Sequence, residues 1–305
     1  MVPLPSPQQL RYLTALAHSR HFGRAANACA VTQSTLSAGI LALERQLDAK
    51  ILDRDAGKRL LFTELGLEIV SRAETALAAL ESVSDAVSAA RAPMSGRLRL
   101  GVIPTIGPFL LPRLMPTLRA AFPRLQLFLR EDTTRRLMDR LNANRLDLAL
   151  LATPCDCAEA ELLPLIQDEF LLALPPHHPL GHKSSIPTAA LATERLLLLE
   201  EGNCLRDQAL AACHHTRAAD QKEGQDLYAA TSLHTLVQMV AGGLGVTLLP
   251  RLAIDAGLCA GTDIILRPIA GGGAWRTLSL AWRPNSPRAP EFRALAAAVA
   301  HVVEK

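Results

Sequence analysis

The sequence predicts two folded parts of different class, a small helical N-terminal part and a larger α/β part, joined by one long helix. The chain has 305 residues, enough for about two domains. Apolar residues recur at helical spacing up to residue 91, whereas strand-like runs alternate with helical stretches from residue 98 onward. We therefore expect a mixed α+β and α/β chain with boundaries at 1–66, 67–94 and 95–305.

Composition excludes several classes of protein. Apolar residues make up 49% of the chain and charged residues 20%, which is typical of a globular protein rather than a disordered one. Aromatic residues reach only 4%, too few for a surface that binds single strands by base stacking. No apolar run approaches the roughly 20 residues of a membrane span, and the N-terminus lacks the pattern of a signal peptide. We expect a cytoplasmic protein with no membrane partner.

The excess positive charge is concentrated at the N-terminus. Residues 1–66 hold eight Lys and Arg against five acidic residues, and the remaining residues balance to zero. A basic excess confined to one small unit indicates a polyanionic partner such as DNA.

Three short helices are predicted at the N-terminus, over 8–18, 22–29 and 33–47, with Thr32 as the cap of the third. A tight turn between the second and third fits a helix-turn-helix. Residues at the start of the third helix would then enter the major groove of duplex DNA; they are Gln33, Ser34, Thr35 and Ser37. In that groove a Gln side chain can read adenine, and hydroxyl groups can reach bases or phosphates. A plain helical hairpin, in which these side chains only cap, fits the periodicity equally well.

Two further N-terminal features extend this prediction. Residues 50–62 alternate around a polar tip at 55–59, which suggests a two-stranded wing; with Arg54 this basic segment could contact phosphates. Residues 64–91 form a predicted helix of about 42 Å that carries an apolar stripe. Such a stripe favours pairing with a second copy, so we expect a homodimer or homotetramer.

The C-terminal part is predicted to be a mainly parallel sheet divided into two lobes around a cleft. Its strand-like runs are residues 98–103, 125–129, 146–151, 170–174, 196–199, 246–249 and 278–282. Ligands in such folds bind beyond the carboxyl ends of strands. The segment 104–107, directly after the first strand, lies at such a position.

Several motifs resemble the LysR-type transcriptional regulators. In the N-terminal part they are residues 21–26, 32–37, 43–44 and 62–66. The stretch 199–210, with Cys213 nine residues after Cys204, is similar to the members of that family that sense hydrogen peroxide, and 103–108, 230–233 and 245–250 match as well. The resemblance implies a winged helix-turn-helix, a linker helix and a two-lobed domain of the periplasmic-binding-protein type. It also implies promoter DNA and RNA polymerase as partners.

The resemblance assigns roles to individual residues. Cys204 corresponds to the cysteine that reacts with peroxide and Cys213 to its disulfide partner. Thr105, Thr134 and Arg276 correspond to residues around the bound peroxide. The family usually has His before the reactive cysteine, where this chain has Asn203. Asn cannot shuttle a proton near pH 7, so this difference bears on the rate of the peroxide reaction more than on its existence.

The residues around Cys204 support thiol chemistry. Residues 205–215 are predicted to be helical, so exposed N–H groups at the helix start and the nearby Arg206 would stabilise a thiolate. A thiolate attacks peroxide to give a sulfenic acid, which a second thiol can capture. If Cys213 lies on the same helix, the two Cα atoms are about 13.5 Å apart. A disulfide needs about 4.4–6.8 Å, so the helix would have to unwind.

The other cysteines carry no predicted role. Cys29 is expected in the core of the N-terminal part, and Cys155, Cys157 and Cys259 lie in no recognised motif. A disulfide framework is not expected, and zinc is poorly supported because Cys155 and Cys157 lack a second pair at ligand spacing. We predict no metal and no cofactor.

Two alternatives remain open on the sequence. One is a regulator of the same family that binds a small-molecule effector, with incidental cysteines. The other is a thiol peroxidase or oxidoreductase, which would turn over substrate and would not need residues 1–91. No C-x-x-C motif supports the enzyme, and we predict that the chain is not one.

Overall fold

The computed structural model describes residues 3–53, 60–157, 159–212, 229–270 and 274–303. The chain divides into two compact units, the first running to Val87 with the short segment Ala143–Arg145, and the second containing the rest. Within the described ranges, none of the helices has the length and apolar character needed to cross a membrane. The finer domain boundaries given above stay a prediction.

The first unit begins with the three predicted helices, α1 (Pro7–Ser19), α2 (Phe22–Ala28) and α3 (Gln33–Leu47). Each begins at a side chain that accepts hydrogen bonds from N–H groups of the first turn, which stabilises the helix start. These caps are Ser6, His21 and Thr32.

A small core holds the three helices together. Leu13, Leu36 and Leu43 are fully buried, and Ala25 and Ala26 let α2 pack closely. The sequence predicted Cys29 in the core, but Cys29 is half-buried and borders this cluster instead. The apolar residues whose helical spacing predicted these helices are therefore the residues that form the core.

A short hairpin follows, formed by the antiparallel strands β1 (Leu52–Asp53) and β2 (Leu61–Phe62). The Glu44 carboxylate on α3 accepts hydrogen bonds from the backbone N–H groups of Ile51 and Leu52, which fixes the hairpin to that helix. The predicted wing tip, 55–59, and Arg54 lie outside the described residues. The predicted helix α4 (Glu64–Arg91) then begins.

The second unit contains a mixed sheet with helices around it. Its strands are β3 (Gly96–Val102), β4 (Leu125–Glu131), β5 (Leu148–Thr153), β6 (Glu161–Leu174), β7 (Ile186–Pro187), β8 (Leu198–Leu199), β9 (Ala229–Ala230), β10 (Thr247–Pro250), β11 (Ile265–Ala270) and β12 (Trp275–Trp282). Its helices are α5 (Gly107–Ala121), α6 (Thr134–Asn142), α7 (Cys204–Ala212), α8 (Leu233–Ala241), α9 (Arg251–Asp255) and α10 (Ala289–Val303).

The strand β6 joins two lobes of this unit. Its first part pairs with β12, beyond which β5, β3 and β4 follow, and its last part pairs with β10 and β11. All of these pairings of β6 are antiparallel, and so is the pairing of β12 with β5. The prediction of a mainly parallel sheet is therefore wrong. The strands β10, β11 and β12 each run antiparallel to β6. Antiparallel neighbours can pair without a crossover helix between them.

We expect a Gly66→Ala substitution to destabilise the first unit. Gly66 lies in the first turn of α4, and a Cβ atom there would overlap the carbonyl oxygen of Ile51. Ala normally favours a helix over Gly, but relieving a backbone overlap costs about 1–3 kcal/mol. Denaturant unfolding should show this loss, whereas Glu68→Ala, which removes only an exposed ion pair with Arg72, should stay within about 0.5 kcal/mol. Equal stability of the two variants would contradict the packing argument.

Candidate functional site

Cys204 lies at the first position of α7, as predicted. The turn between β8 and α7 contains Gly202 with φ +90°, a conformation that favours glycine. The Cys204 thiol is half-buried, and its Sγ donates a hydrogen bond to the Thr134 hydroxyl oxygen at 2.9 Å. Two predicted site residues, 70 positions apart in the chain, are therefore in direct contact.

A buried ionic cluster lies beside this thiol. The Arg276 guanidinium on β12 is 1% exposed and donates from Nε to the Asp168 carboxylate on β6 at 2.9 Å. It also donates to the Thr105 hydroxyl at 2.8 Å and to the Thr105 carbonyl at 3.0 Å. The ring of Phe170 lies under the guanidinium, 5.9 Å from its central carbon. The structure thus brings Thr105 and Arg276 together, directly after β3, where the sequence placed a ligand site.

The environment of Cys204 contains opposing electrostatic effects. Burial raises the pKa of the Cys204 thiol above its ordinary value, and the Asp207 carboxylate raises it further. The Thr134 hydroxyl, the backbone at the helix start and the charge of Arg276 each lower this pKa, but burial outweighs them. In this conformation the site therefore favours the thiol over the thiolate.

This result corrects the expectation that Arg206 and the helix start stabilise a thiolate. The helix start does act in the predicted direction, but the Arg206 guanidinium donates to the Leu199 carbonyl, and the positive charge that acts on the thiol belongs to Arg276. Burial also lowers the pKa of Arg276, against the opposing charge of Asp168. Arg206 was predicted as the positive charge near the thiol because it is close to Cys204 in the sequence. In the fold, that charge comes from Arg276 on β12.

Asn203 takes part in the turn before α7. Its side-chain nitrogen donates to the Glu200 carbonyl at 3.1 Å, and its own carbonyl accepts from the backbone N–H of Arg206. The described hydrogen bonds of Asn203 therefore shape the loop that presents Cys204.

An open cleft of about 1020 Å³ extends from Cys204 between α6, α7 and the loop after β5. Thr134, Cys155, Cys157 and Cys204 all contribute to its wall, together with five carboxylates and two guanidiniums. Cys155 and Cys157 are joined by a disulfide, with Cα atoms 5.5 Å apart. The sequence predicted no disulfide framework and gave these two cysteines no role, whereas the loop brings them within bonding distance. Cys213 lies outside the described residues.

Sequence reasoning missed two polar residues that organise this region. Asp168 lies in the polar run 167–169 of β6, and only the fold shows that its carboxylate is buried against Arg276. Gln208 is buried on α7, and its amide nitrogen donates to the carbonyls of Ala152 and Pro154. Nothing in the local sequence distinguishes Gln208 from an ordinary exposed helical Gln.

The predicted DNA-contact residues lie together at the start of α3. Gln33, Ser34, Thr35 and Ser37 are all exposed, whereas Leu36 between them is buried. The hydroxyls of Ser34 and Thr35 are hydrogen-bonded to the Thr32 hydroxyl within the cap. Among the described residues, the side chains of Gln33 and Ser37 make no hydrogen bond, so they are the members of this set that remain available to a partner.

A winged helix-turn-helix followed by a two-lobed α/β unit is the architecture of a DNA-binding transcriptional regulator with an effector domain. Residues 7–67 match the bacterial regulatory helix-turn-helix proteins of the lysR family, and residues 91–304 match the LysR substrate binding domain. This chain belongs to the LysR family.

Individual relatives are similar along nearly the whole chain. The DNA-binding transcriptional dual regulator OxyR of Escherichia coli K12 is 39% identical over 292 residues, covering 96% of this chain and 94% of the relative. A probable hydrogen peroxide-inducible genes activator of Streptomyces viridosporus is 40% identical over 295 residues, covering 97% and 93%. A full-length cysteine variant of OxyR from Pseudomonas aeruginosa has a TM-score of 0.74 at 35% identity, covering 97% and 98%. A hydrogen-peroxide-bound cysteine variant of OxyR from Corynebacterium glutamicum has a TM-score of 0.68 at 28% identity, covering 100% and 94%.

We expect Thr134→Val to slow the reaction of Cys204 with alkylating agents. The Thr134 hydroxyl lowers the pKa of Cys204, so removing it should move the pH midpoint of alkylation upward. A hydrogen bond to a charged group at this partly exposed site is worth about 1–1.4 kcal/mol, which corresponds to a roughly fivefold to tenfold slower rate at neutral pH. Site-resolved mass spectrometry after iodoacetamide treatment measures this rate.

The neighbouring Thr133→Val is the matched control, because the described contact of Thr133 uses its backbone N–H. Asp207→Asn should act in the opposite direction, since the Asp207 carboxylate raises the pKa of Cys204. An unchanged pH midpoint in Thr134→Val would contradict the contact seen here.

Proposed function

We propose that this chain is a hydrogen-peroxide-responsive transcriptional regulator, with Cys204 as the reactive thiol. The observation that carries the proposal is the contact of the Cys204 sulfur with Thr134 beside the buried Arg276, Asp168 and Thr105 cluster. Relatives named for hydrogen peroxide support it. So does the peroxide-bound neighbour, which shares this fold.

The residues of the proposed site supply the nucleophile, the hydrogen bonds and the positive charge that the peroxide reaction needs. The Cys204 thiolate attacks one oxygen of hydrogen peroxide; an S–O bond forms, the O–O bond breaks, and the leaving hydroxide takes up a proton to become water. The hydroxyls of Thr105 and Thr134 can donate to and accept from a small neutral peroxide. Arg276 stabilises the negative charge on the attacking sulfur and on the departing oxygen. Asn203 holds the loop that presents the thiol.

The charge of the cleft beside Cys204 favours this substrate over an anionic effector. Five carboxylates face it against two guanidiniums. A net negative cleft repels carboxylate or phosphate metabolites, whereas hydrogen peroxide is uncharged at neutral pH. The carboxylates therefore favour peroxide over the many anionic effectors that a small-molecule regulator could bind.

The proposed signal is a disulfide between Cys204 and Cys213. The Cys213 thiol attacks the sulfur of the Cys204 sulfenic acid, an S–S bond forms, and water leaves. The described part of α7 gives nine helical residues, Cys204 to Ala212, and Cys213 follows Ala212 in the sequence. Joining the Cys204 and Cys213 sulfurs would require these residues to lose helical structure, which would change how α7 packs in its lobe.

The first unit is proposed to bind promoter DNA as a homodimer or homotetramer. The apolar residues Leu65, Leu80, Val83 and Val87 of α4 are about half exposed or more, which favours a covering partner helix. A paired unit would read two dyad-related half-sites. RNA polymerase is the expected partner of the DNA-bound regulator, by analogy with the family.

We expect several equivalents of hydrogen peroxide to produce a Cys204–Cys213 disulfide within one chain. It should appear as a linked peptide in mass spectrometry and disappear after treatment with a dithiol reductant. Cys204→Ser should abolish the linked peptide and any peroxide effect on DNA binding. Cys259→Ser is the control, since Cys259 is another half-buried thiol whose pKa is raised by burial but which lies away from the cleft lining.

One result would exclude the peroxide proposal while leaving the family assignment intact. If Cys204 stays reduced under peroxide while a metabolite changes DNA binding, the effector-binding alternative is correct.

We expect Gln33→Ala and Ser37→Ala to weaken specific DNA binding more than non-specific binding. A side chain that reads a base contributes about 1–3 kcal/mol of discrimination. Affinities for duplexes enriched from a random pool by the wild-type protein should fall accordingly, while affinities for unselected duplexes change little. Gln8→Ala on α1 is the control. Equal losses on both kinds of duplex would show that Gln33 and Ser37 do not read bases.

A further inference from the structure

Three cysteines contribute to the wall of one cleft. Cys155 and Cys157 form a disulfide, whereas Cys204 on the same wall remains a free thiol. The two bonded cysteines differ in exposure, because Cys155 is half-buried and Cys157 is 5% exposed. A bonded cysteine pair and a separate thiol therefore line the same cleft.

Gln208 ties the helix of Cys204 to the loop of this disulfide. Residues four apart share a helix face, with Cβ atoms about 5–6 Å apart, so Gln208 lies one turn below Cys204 on the same side of α7. The Gln208 amide nitrogen is 3.2 Å from the carbonyl oxygen of Pro154, the residue before Cys155. One side chain thus spans from the face that carries Cys204 to the start of the Cys155–Cys157 loop.

The side-chain oxygen of Gln208 lacks a hydrogen-bond donor among the described residues, and it is buried. Buried acceptors without partners are costly, and a disulfide supplies no donor. Reducing the disulfide would create two S–H donors on the loop that Gln208 already contacts. The loop that carries Cys155 is therefore held by a side chain whose buried oxygen still lacks a donor in the described part of the chain.

We propose that Cys155 and Cys157 form a second redox centre that takes the oxidation from Cys204. The proposal rests on peroxide oxidising Cys204, as argued above. Because Cys155 is the more exposed of the pair, it is the thiol that attacks Cys204 first, and Cys157 completes the transfer.

A condensation and a thiol exchange move the oxidation from Cys204 to the Cys155–Cys157 pair. Peroxide converts the Cys204 thiolate to a sulfenic acid. The Cys155 thiol attacks the Cys204 sulfur, an S–S bond forms between them, and the sulfenic oxygen leaves as water. The Cys157 thiolate then attacks the Cys155 sulfur, and the Cys204 thiolate departs. In total, one peroxide and two thiols give one disulfide and two waters, and Cys204 is regenerated.

This relay sets a threshold for the sensor. Starting from the fully reduced chain, the first equivalent of peroxide forms the Cys155–Cys157 disulfide and leaves Cys204 reduced. Only the next equivalent can drive Cys204 towards Cys213.

The test uses the full-length Cys213→Ser protein, reduced with a dithiol, desalted and mixed with one equivalent of hydrogen peroxide. Alkylation at set times followed by peptide mapping should show a Cys155–Cys157 disulfide and free Cys204. Adding Cys204→Ser should slow formation of that disulfide at least about tenfold, because the pair then reacts with peroxide directly as ordinary thiols. Adding Cys157→Ala should instead trap a linked Cys155–Cys204 peptide.

The consequence for the sensor is measured in chains that retain Cys213. With both Cys155→Ala and Cys157→Ala, the linked Cys204–Cys213 peptide should appear at about half the peroxide dose that the reduced wild type needs, since one equivalent is no longer diverted. Cys259→Ala is the matched control and should leave the dose unchanged.

Two outcomes overturn the relay and separate it from the proposed function. If a sulfenic-acid probe labels Cys204 in Cys213→Ser while Cys155 and Cys157 stay reduced, the relay is wrong and the peroxide sensor stands. If Cys204 is not oxidised in any variant, or the Cys155–Cys157 disulfide forms equally fast without Cys204, the relay is also wrong. In the case of an unreactive Cys204, the proposed function fails with it.

Discussion

The buried ion pair between Arg276 and Asp168 is the interaction on which the geometry of the site depends. The two residues face each other directly across β12 and β6, and both are almost completely excluded from solvent. Removing one partner of such a pair typically costs about 3–5 kcal/mol, because the other charge stays buried alone. Arg276 also binds the hydroxyl and carbonyl of Thr105, so one guanidinium fixes two strands and the loop after β3 around the thiol.

That constraint also determines how Cys204 is tuned. Its thiol lies where burial opposes ionisation and where Thr134 and Arg276 favour it, so its reactivity is a difference between opposing effects. A site balanced in this way responds to small rearrangements of Thr134 or Asp207. Because the pKa of Cys204 is raised, its thiol stays mainly protonated in this conformation, which limits side reactions with other oxidants.

Local patterns predicted the parts of the fold that depend on local interactions. The helices α1 to α3 follow from apolar spacing and from capping by residues such as Thr32, which act within a few positions. The sheet of the second unit was less predictable, because pairing partners such as β12 and β6 are more than 100 residues apart and their direction leaves no mark on either segment. The motif around Cys204 predicted its position at the start of α7. Its charged neighbour Arg276 could be placed only by family resemblance, and the partner Asp168 required the fold.

Oxidised Cys204 can form a disulfide with either Cys213 or Cys155, and the two reactions require different amounts of conformational change. A bond to Cys213 requires the helical residues between Cys204 and Ala212 to unwind, whereas Cys155 lies on a loop that Gln208 holds against the same helix. Chain segments already in position react without the entropic cost of rearrangement. The route through Cys155 should therefore be the faster one, and the bond to Cys213 should accumulate only when the pair is already a disulfide. A regulator built in this way would ignore the first oxidising equivalents and change conformation only under sustained peroxide.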